Sequence, residues 1–97
     1  MRLDRFLYFV RLLKSRTLAQ SLIEAGNVRL DGKRVTKTAV DIHLGSVISF
    51  ALHGRVRVVR ALAMPSRRGP ASEARACYEE LEEGGEAENV SQQGPAN

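Results

Sequence analysis

Apolar residues recur at helical spacing from the start of the chain. Leu3, Phe6, Leu7, Val10 and Leu13 fall on one stripe, with Arg5, Arg11 and Lys14 off it. This predicts an amphipathic helix of about three turns over residues 3–13. Lys14 suits its C-terminal end, where a cation meets the negative pole of the helix. Ser15 then reads as an N-cap, since its hydroxyl can accept from a backbone N–H that the helix leaves without a partner. Leu18, Ala19, Leu22 and Ile23 form the buried face of a second helix, and Gly26 fits its C′ stop. Arg16, Gln20 and Glu24 line the opposite face.

The period then changes. "VRL" and "KRV" flank Asp31-Gly32, a strong hairpin signal, because a type I′ turn needs positive φ at both central residues. Val28, Leu30 and Val35 are expected to face the core, with Arg29, Lys33 and Arg34 in water. A loop, "TKTAVDIHLGS", turns at Gly45, and strands are expected at 47–52 and 55–62, joined at His53-Gly54. Arg55 and Arg57 alternate with Val56 and Val58, so one face of the last strand is expected to be charged. "PSRRGP", residues 65–70, has the composition of a linker. Beyond it, Ala71, Ala74, Tyr78 and Leu81 keep helical spacing, which predicts a third helix opened by Pro70 and ended by Gly84-Gly85. Residues 84–97 hold too few apolar groups to fold and are expected to be disordered. There is no internal repeat.

Composition narrows the chemistry. In 97 residues the single Cys77 excludes an intrachain disulfide and a Cys-based zinc site, and His43 and His53 have no partner at ligand spacing. Neither a metal nor a cofactor is expected. The start "MRLDRFLYFVR" does not read as a secretory signal, and no run approaches the ~20 apolar residues of a membrane span. A cytoplasmic protein is expected. No nucleophile has a base at a recognisable spacing and no acid pair suggests a pocket, so catalysis is not expected.

Charge changes the picture most. Residues 1–70 hold 14 Lys/Arg against 4 Asp/Glu, a net of +10, while residues 71–97 hold 1 against 7, a net of −6. A basic body of this kind attracts polyanions, nucleic acid foremost. Arg2, Arg5, Lys14, Ser15, Arg16 and Gln20 come from the helical pair; Arg29, Lys33, Arg34 and Lys37 come from the hairpin and the loop behind it. Short connections should bring these to one side of the molecule. Arginine's planar fork grips two phosphate oxygens, and each phosphate neutralised releases counterions. The N–H groups beside Ser15 and Arg16 suit one phosphate. Asp4 either pairs a nearby arginine and holds it in position or stabilises the helix start. Arg55, Arg57 and Arg60 are read as ordinary strand-exposed charges. Phe6, Tyr8 and Phe9 are read as core, and Cys77 and Tyr78 as packing residues.

These residues resemble a known family. "RLDRFL" followed by "KSRTLAQSLIEAGNVRLDGKRV" is similar to the RNA-binding domain named after ribosomal protein S4. The family pattern is met by Arg2-Leu3-Asp4, Ser15-Arg16, Ala19, Ile23, Gly26-Asn27-Val28 and Gly32. At Ser46, after Gly45, the broader family usually has Asp. "RRGPASEARACYEE", residues 67–80, further resembles the small bacterial ribosome-associated family of heat-shock protein fifteen. The resemblance implies an α+β, S4-like (alpha-L) fold: two N-terminal helices and a small, mainly antiparallel sheet in residues 1–63. A linker and C-terminal helix would follow in 64–83, and a disordered tail in 84–97. It implies a non-catalytic binder of structured RNA, ribosomal or transfer RNA. The partner would be the free large ribosomal subunit carrying a nascent chain on transfer RNA, and the role its recycling under stress. A monomer with no membrane partner is expected. Two other readings stay open: a general binder of transfer or structured RNA, and a protein-interaction adaptor using the acidic C-terminal helix.

Overall fold

A computed structural model describes residues 1–86. Its elements run α1 (Leu3–Phe9), α2 (Arg16–Glu24), β1 (Val28–Leu30), β2 (Lys33–Val35), β3 (Val47–Leu52), β4 (Arg55–Ala61), α3 (Ala71–Arg75) and β5 (Tyr78–Glu86). The strands form one antiparallel sheet in the order β2-β1-β3-β4-β5. The fold is α+β, as expected. Among the described residues no helix is long and apolar enough to cross a membrane.

One core joins the layers. Leu3, Phe6 and Leu7 of α1 and Ala19, Leu22 and Ile23 of α2 cluster with Val28, Ile48, Phe50 and Val59 on one face of the sheet. The core-facing set on each strand alternates with an outward set, as the pleat requires. Local signals place the elements. Ser15 Oγ accepts from the Leu18 N–H at 3.0 Å, capping α2. Gly26, at φ 82°, ends it, its N–H donating to the Ile23 carbonyl. Asp31 and Gly32 have φ values of 51° and 85°, as the hairpin turn demands. Asp31 also exchanges bonds with Val47, its N–H donating to the carbonyl at 2.8 Å and its Oδ1 accepting from the N–H at 2.9 Å. The hairpin is thereby tied to β3. Ser46 closes the turn at Gly45: its Oγ accepts from the His43 N–H at 2.9 Å.

Two expectations fail. The first helix stops at Phe9, one turn short of its apolar stripe, and Arg11 takes a left-handed φ of 63°. A continuous helix would have turned Leu12 toward solvent. The reversal buries both Leu12 and Leu13, whose N–H groups share the Leu7 carbonyl at 3.1 Å each. Residues of the supposed linker hold this corner. Arg11 Nε donates to the Gly69 carbonyl at 2.7 Å, and Arg68 donates to the Tyr8 and Leu13 carbonyls while its guanidinium stacks 4.3 Å from the Tyr8 ring centre.

The third helix is also shorter than its spacing predicts. It ends at Arg75, and Tyr78–Glu86, Gly84 and Gly85 included, pairs with β4 as a fifth strand. β4 would otherwise present an open edge bearing arginines. Arg57 instead meets Glu80 with a bidentate fork at 2.6 and 3.3 Å, and Arg60 meets Glu79 at 3.3 Å. Ladder bonds and charge pairing together outweigh the helical periodicity. Of the tail expected to be disordered, residues 84–86 lie in β5 and residues 87–97 lie outside the described residues.

Candidate nucleic-acid interface

The first turn of α1 carries a fully buried carboxylate, Asp4. It is surrounded by donors. Arg2 grips it with Nε and Nη2, both at 3.0 Å; the Arg5 backbone N–H donates at 2.9 Å; Gln20 Nε2 reaches across from α2 at 3.1 Å. The Arg16 guanidinium stands 3.7 Å from the same oxygen. Burial pushes the Asp4 carboxyl up, but the bonds from Arg2 and Gln20, the Arg2 charge and the Arg5 N–H outweigh it. The carboxyl is held below the ordinary carboxylate value.

The cluster fixes cations without consuming them. One carboxylate faces two guanidinium groups, each more than a third exposed, so net positive charge remains at the surface. Arg16 Nε is buried without a hydrogen-bond partner among the described residues, while the side chain as a whole is 40% exposed. Arg5 and Lys14 flank the cluster as exposed cations. Ser15 and Gln20 are engaged internally, the first as the α2 cap and the second as a brace on Asp4.

The hairpin contributes a second group. Arg29 and Arg34 are direct cross-strand partners on the face turned away from the core. Arg34 lies over the C-terminal stop of α2, its Cδ 3.3 Å from where a Cβ on Gly26 would stand. Lys33 pairs with Leu30 and so points to the opposite face of the hairpin. The cations therefore do not converge into a single cluster. They form one group at the start of α2 and another at its end, separated by the ~14 Å length of a nine-residue helix. The segment carrying Lys37 links the two, because the Val40 carbonyl behind it accepts from the Leu3 N–H at 2.8 Å and the Asp41 backbone forms an isolated antiparallel β-bridge with that of Arg2.

Residues 1–48 match the family model of the S4 domain. This segment carries an S4 domain. Both cation groups lie inside the matched segment. The chain is 37% identical over 82 residues to heat shock protein 15 of Escherichia coli strain K12. It is 36% identical over 81 residues to the heat shock protein 15 homolog of Aeromonas salmonicida. Each alignment covers 84% of this chain and 61% of the relative, so the chain spans about three fifths of the length of these curated relatives. A trimeric structure of Vibrio cholerae heat shock protein 15 superposes with a TM-score of 0.77 at 27% identity, covering 94% of this chain and 86% of that one.

Outside the S4 domain Arg57, Arg60, Arg67 and Arg68 are occupied structurally. Arg57 shares the core-side face with Phe50, 5.9 Å from its ring centre, and its pKa is raised first by the Glu80 hydrogen bonds. This corrects the view of Arg57 as an ordinary exposed strand charge. Arg67 pairs with Glu73 at 3.1 Å. Burial pushes the Cys77 thiol up, with Glu73 adding to the effect, so it is a poor nucleophile. Among the described residues no group of three or more His, Cys, Asp or Glu is placed to hold a metal.

The residue underweighted by the sequence is Asp4. An acid between Arg2 and Arg5 on a basic helix signals a local pair, but nothing local announces Gln20 and Arg16 arriving from the second helix.

Proposed function

We propose that this chain is a non-catalytic, structured-RNA-binding protein that acts at the ribosome. It docks on the free large subunit carrying a nascent chain on transfer RNA and aids its recycling under stress. Similarity to the heat shock protein 15 relatives supports the ribosomal setting. The observation that carries the RNA reading is the Asp4 cluster, in which one buried carboxylate positions Arg2 and Arg16 and leaves their outer edges open. Arg2, Arg5, Lys14 and Arg16 contact phosphates along one stretch of backbone, with Lys37 leading to a second contact at Arg29 and Arg34. Lys33 reaches the RNA from the hairpin's other face. Ser15 and Gln20 act by holding the α2 start and Asp4. Phosphate contacts of this kind position the protein and read shape, with little base readout.

Sedimentation of cell extract tests the ribosomal partner: the protein should travel with free large subunits, and migration away from all ribosomal particles would refute that role. Binding to purified structured RNA tests the coarser reading. With about six phosphates engaged, raising salt from roughly 50 to 200 mM should weaken binding ~10³-fold. A flat response would favour an adaptor working through its acidic C-terminal strand. A single chain supplies all the residues named, so one chain is the binding unit. Because the Vibrio cholerae relative was solved as a trimer, light scattering on the free protein is the accompanying measurement.

A further inference from the structure

The outer face of the sheet carries a groove that phosphate contact alone does not use. Register sets Arg34, Arg29, Ser49 and Val58 in one cross-sheet row, with Ala51 opposite Val56 in the next. This face is turned away from α1 and α2. With Gly26 and Asn27 at one end, the rows bound an open groove of about 410 Å³.

The two ends of the groove differ in chemistry. At one, Arg29 and Arg34 are register partners on the same outer face, and like charges so placed oppose strand pairing. Among the described residues neither has an acidic partner; Arg29 has only a long 3.4 Å bond to the Gly32 carbonyl. An anion between them would relieve the repulsion. Beside this pair, Ala51, Val56 and Val58 present a half-exposed aliphatic floor, with Asn27 and Ser49 as polar groups at its margin. An anion joined to a flat apolar ring answers both ends at once. A nucleotide has that composition, and the groove falls within the size range of small-ligand sites. Bases inside a duplex are stacked and cannot reach such a floor, whereas an unpaired nucleotide can be splayed onto it.

We propose that the outer sheet face holds one unpaired nucleotide of the bound RNA, its phosphate between Arg29 and Arg34 and its base on the Ala51–Val56–Val58 floor. This rests on the RNA reading above and adds a partner feature to it: a bulge or single-stranded step beside the helix gripped by α1 and α2.

The test compares two labelled RNA hairpins that differ only by one bulged uridine, by fluorescence anisotropy, with wild type, Ala51→Phe and Val58→Gln. Ala51→Phe fills the groove from the solvent side without altering charge. Val58→Gln makes its floor polar and serves if the larger side chain disturbs folding. Wild type should prefer the bulged hairpin roughly tenfold, within the range of base-contact energies. Both variants should lose that preference while binding the fully paired hairpin as wild type does. Equal wild-type affinity for the two hairpins would overturn the nucleotide site and leave the RNA reading standing. Binding to neither would overturn both. A preference that survives in both variants would also overturn it. So would Ala51→Phe acting only on the particle mass in sedimentation, which would assign the face to contacts between copies.

Discussion

Asp4 Oδ2 and the Arg16 guanidinium stand 3.7 Å apart across the helix pair, the carboxylate fully buried and the arginine 40% exposed. The acid thus acts from inside on a cation that acts outside. Asp4→Asn keeps the shape but turns an acceptor toward Arg2 into a mixed amide. It should cost about 1–3 kcal/mol in a denaturant melt. It also raises the net charge from +4 by one unit. If bulk charge governed RNA affinity, the variant would bind more tightly. Positioning by Asp4 predicts weaker binding, and anisotropy at fixed salt decides between them.

The same carboxylate makes stability depend on pH with a defined sign. Its folded value lies below the ordinary 3.8, so the unfolded chain takes up the proton first as pH falls. The stabilisation is fully present well above 3.8 and is lost as pH drops below that value through the depressed one. The stability gap between wild type and Asp4→Asn should therefore stay constant from neutral pH to about 5 and narrow below 4. Melts across that series check it, and a gap that widened in acid would contradict the assignment.

What could be read without coordinates was local. Ser15, Gly26 and Asp31-Gly32 announce a cap, a stop and a turn through their own backbone and side-chain chemistry, and each does what its type favours. What could not be read depended on distant partners. The early end of α1 needs Arg68 and Gly69, almost 60 positions away, to hold the corner at Arg11. β5 carries a helix-compatible sequence, and only the arginine-bearing edge of β4 selects the strand. Lys33 has the same composition signal as Arg34, yet a one-residue step along a strand sends the two to opposite faces.

Arg68 separates stability from binding. Its guanidinium donates to the Tyr8 and Leu13 carbonyls at the corner that follows α1, and it stacks on the Tyr8 ring. Arg68→Ala leaves the partly buried Leu13 carbonyl to find water, the Tyr8 carbonyl keeping its bond from the Arg11 N–H, and removes the cation–π contact. A loss of about 1–3 kcal/mol is expected. RNA affinity of the folded fraction should be unchanged despite the lost positive charge. A large affinity loss at temperatures where the variant is folded would move Arg68 into the interface.

Arg29 should behave in the opposite way. It faces Arg34 directly across the hairpin, so its charge opposes the pairing that positions it. Arg29→Thr removes the repulsion and places a β-branched residue in a strand that favours one. The variant should be more stable than wild type by about 0.2–1 kcal/mol. Its RNA affinity should fall, and the slope of log K against log salt should shrink by about one, the signature of one phosphate contact removed. A gain in stability with an unchanged slope would mean that the opposed arginines serve something other than a nucleic-acid backbone. A residue that weakens its own hairpin yet strengthens RNA binding is the combination expected where charge is placed for a partner and not for the fold.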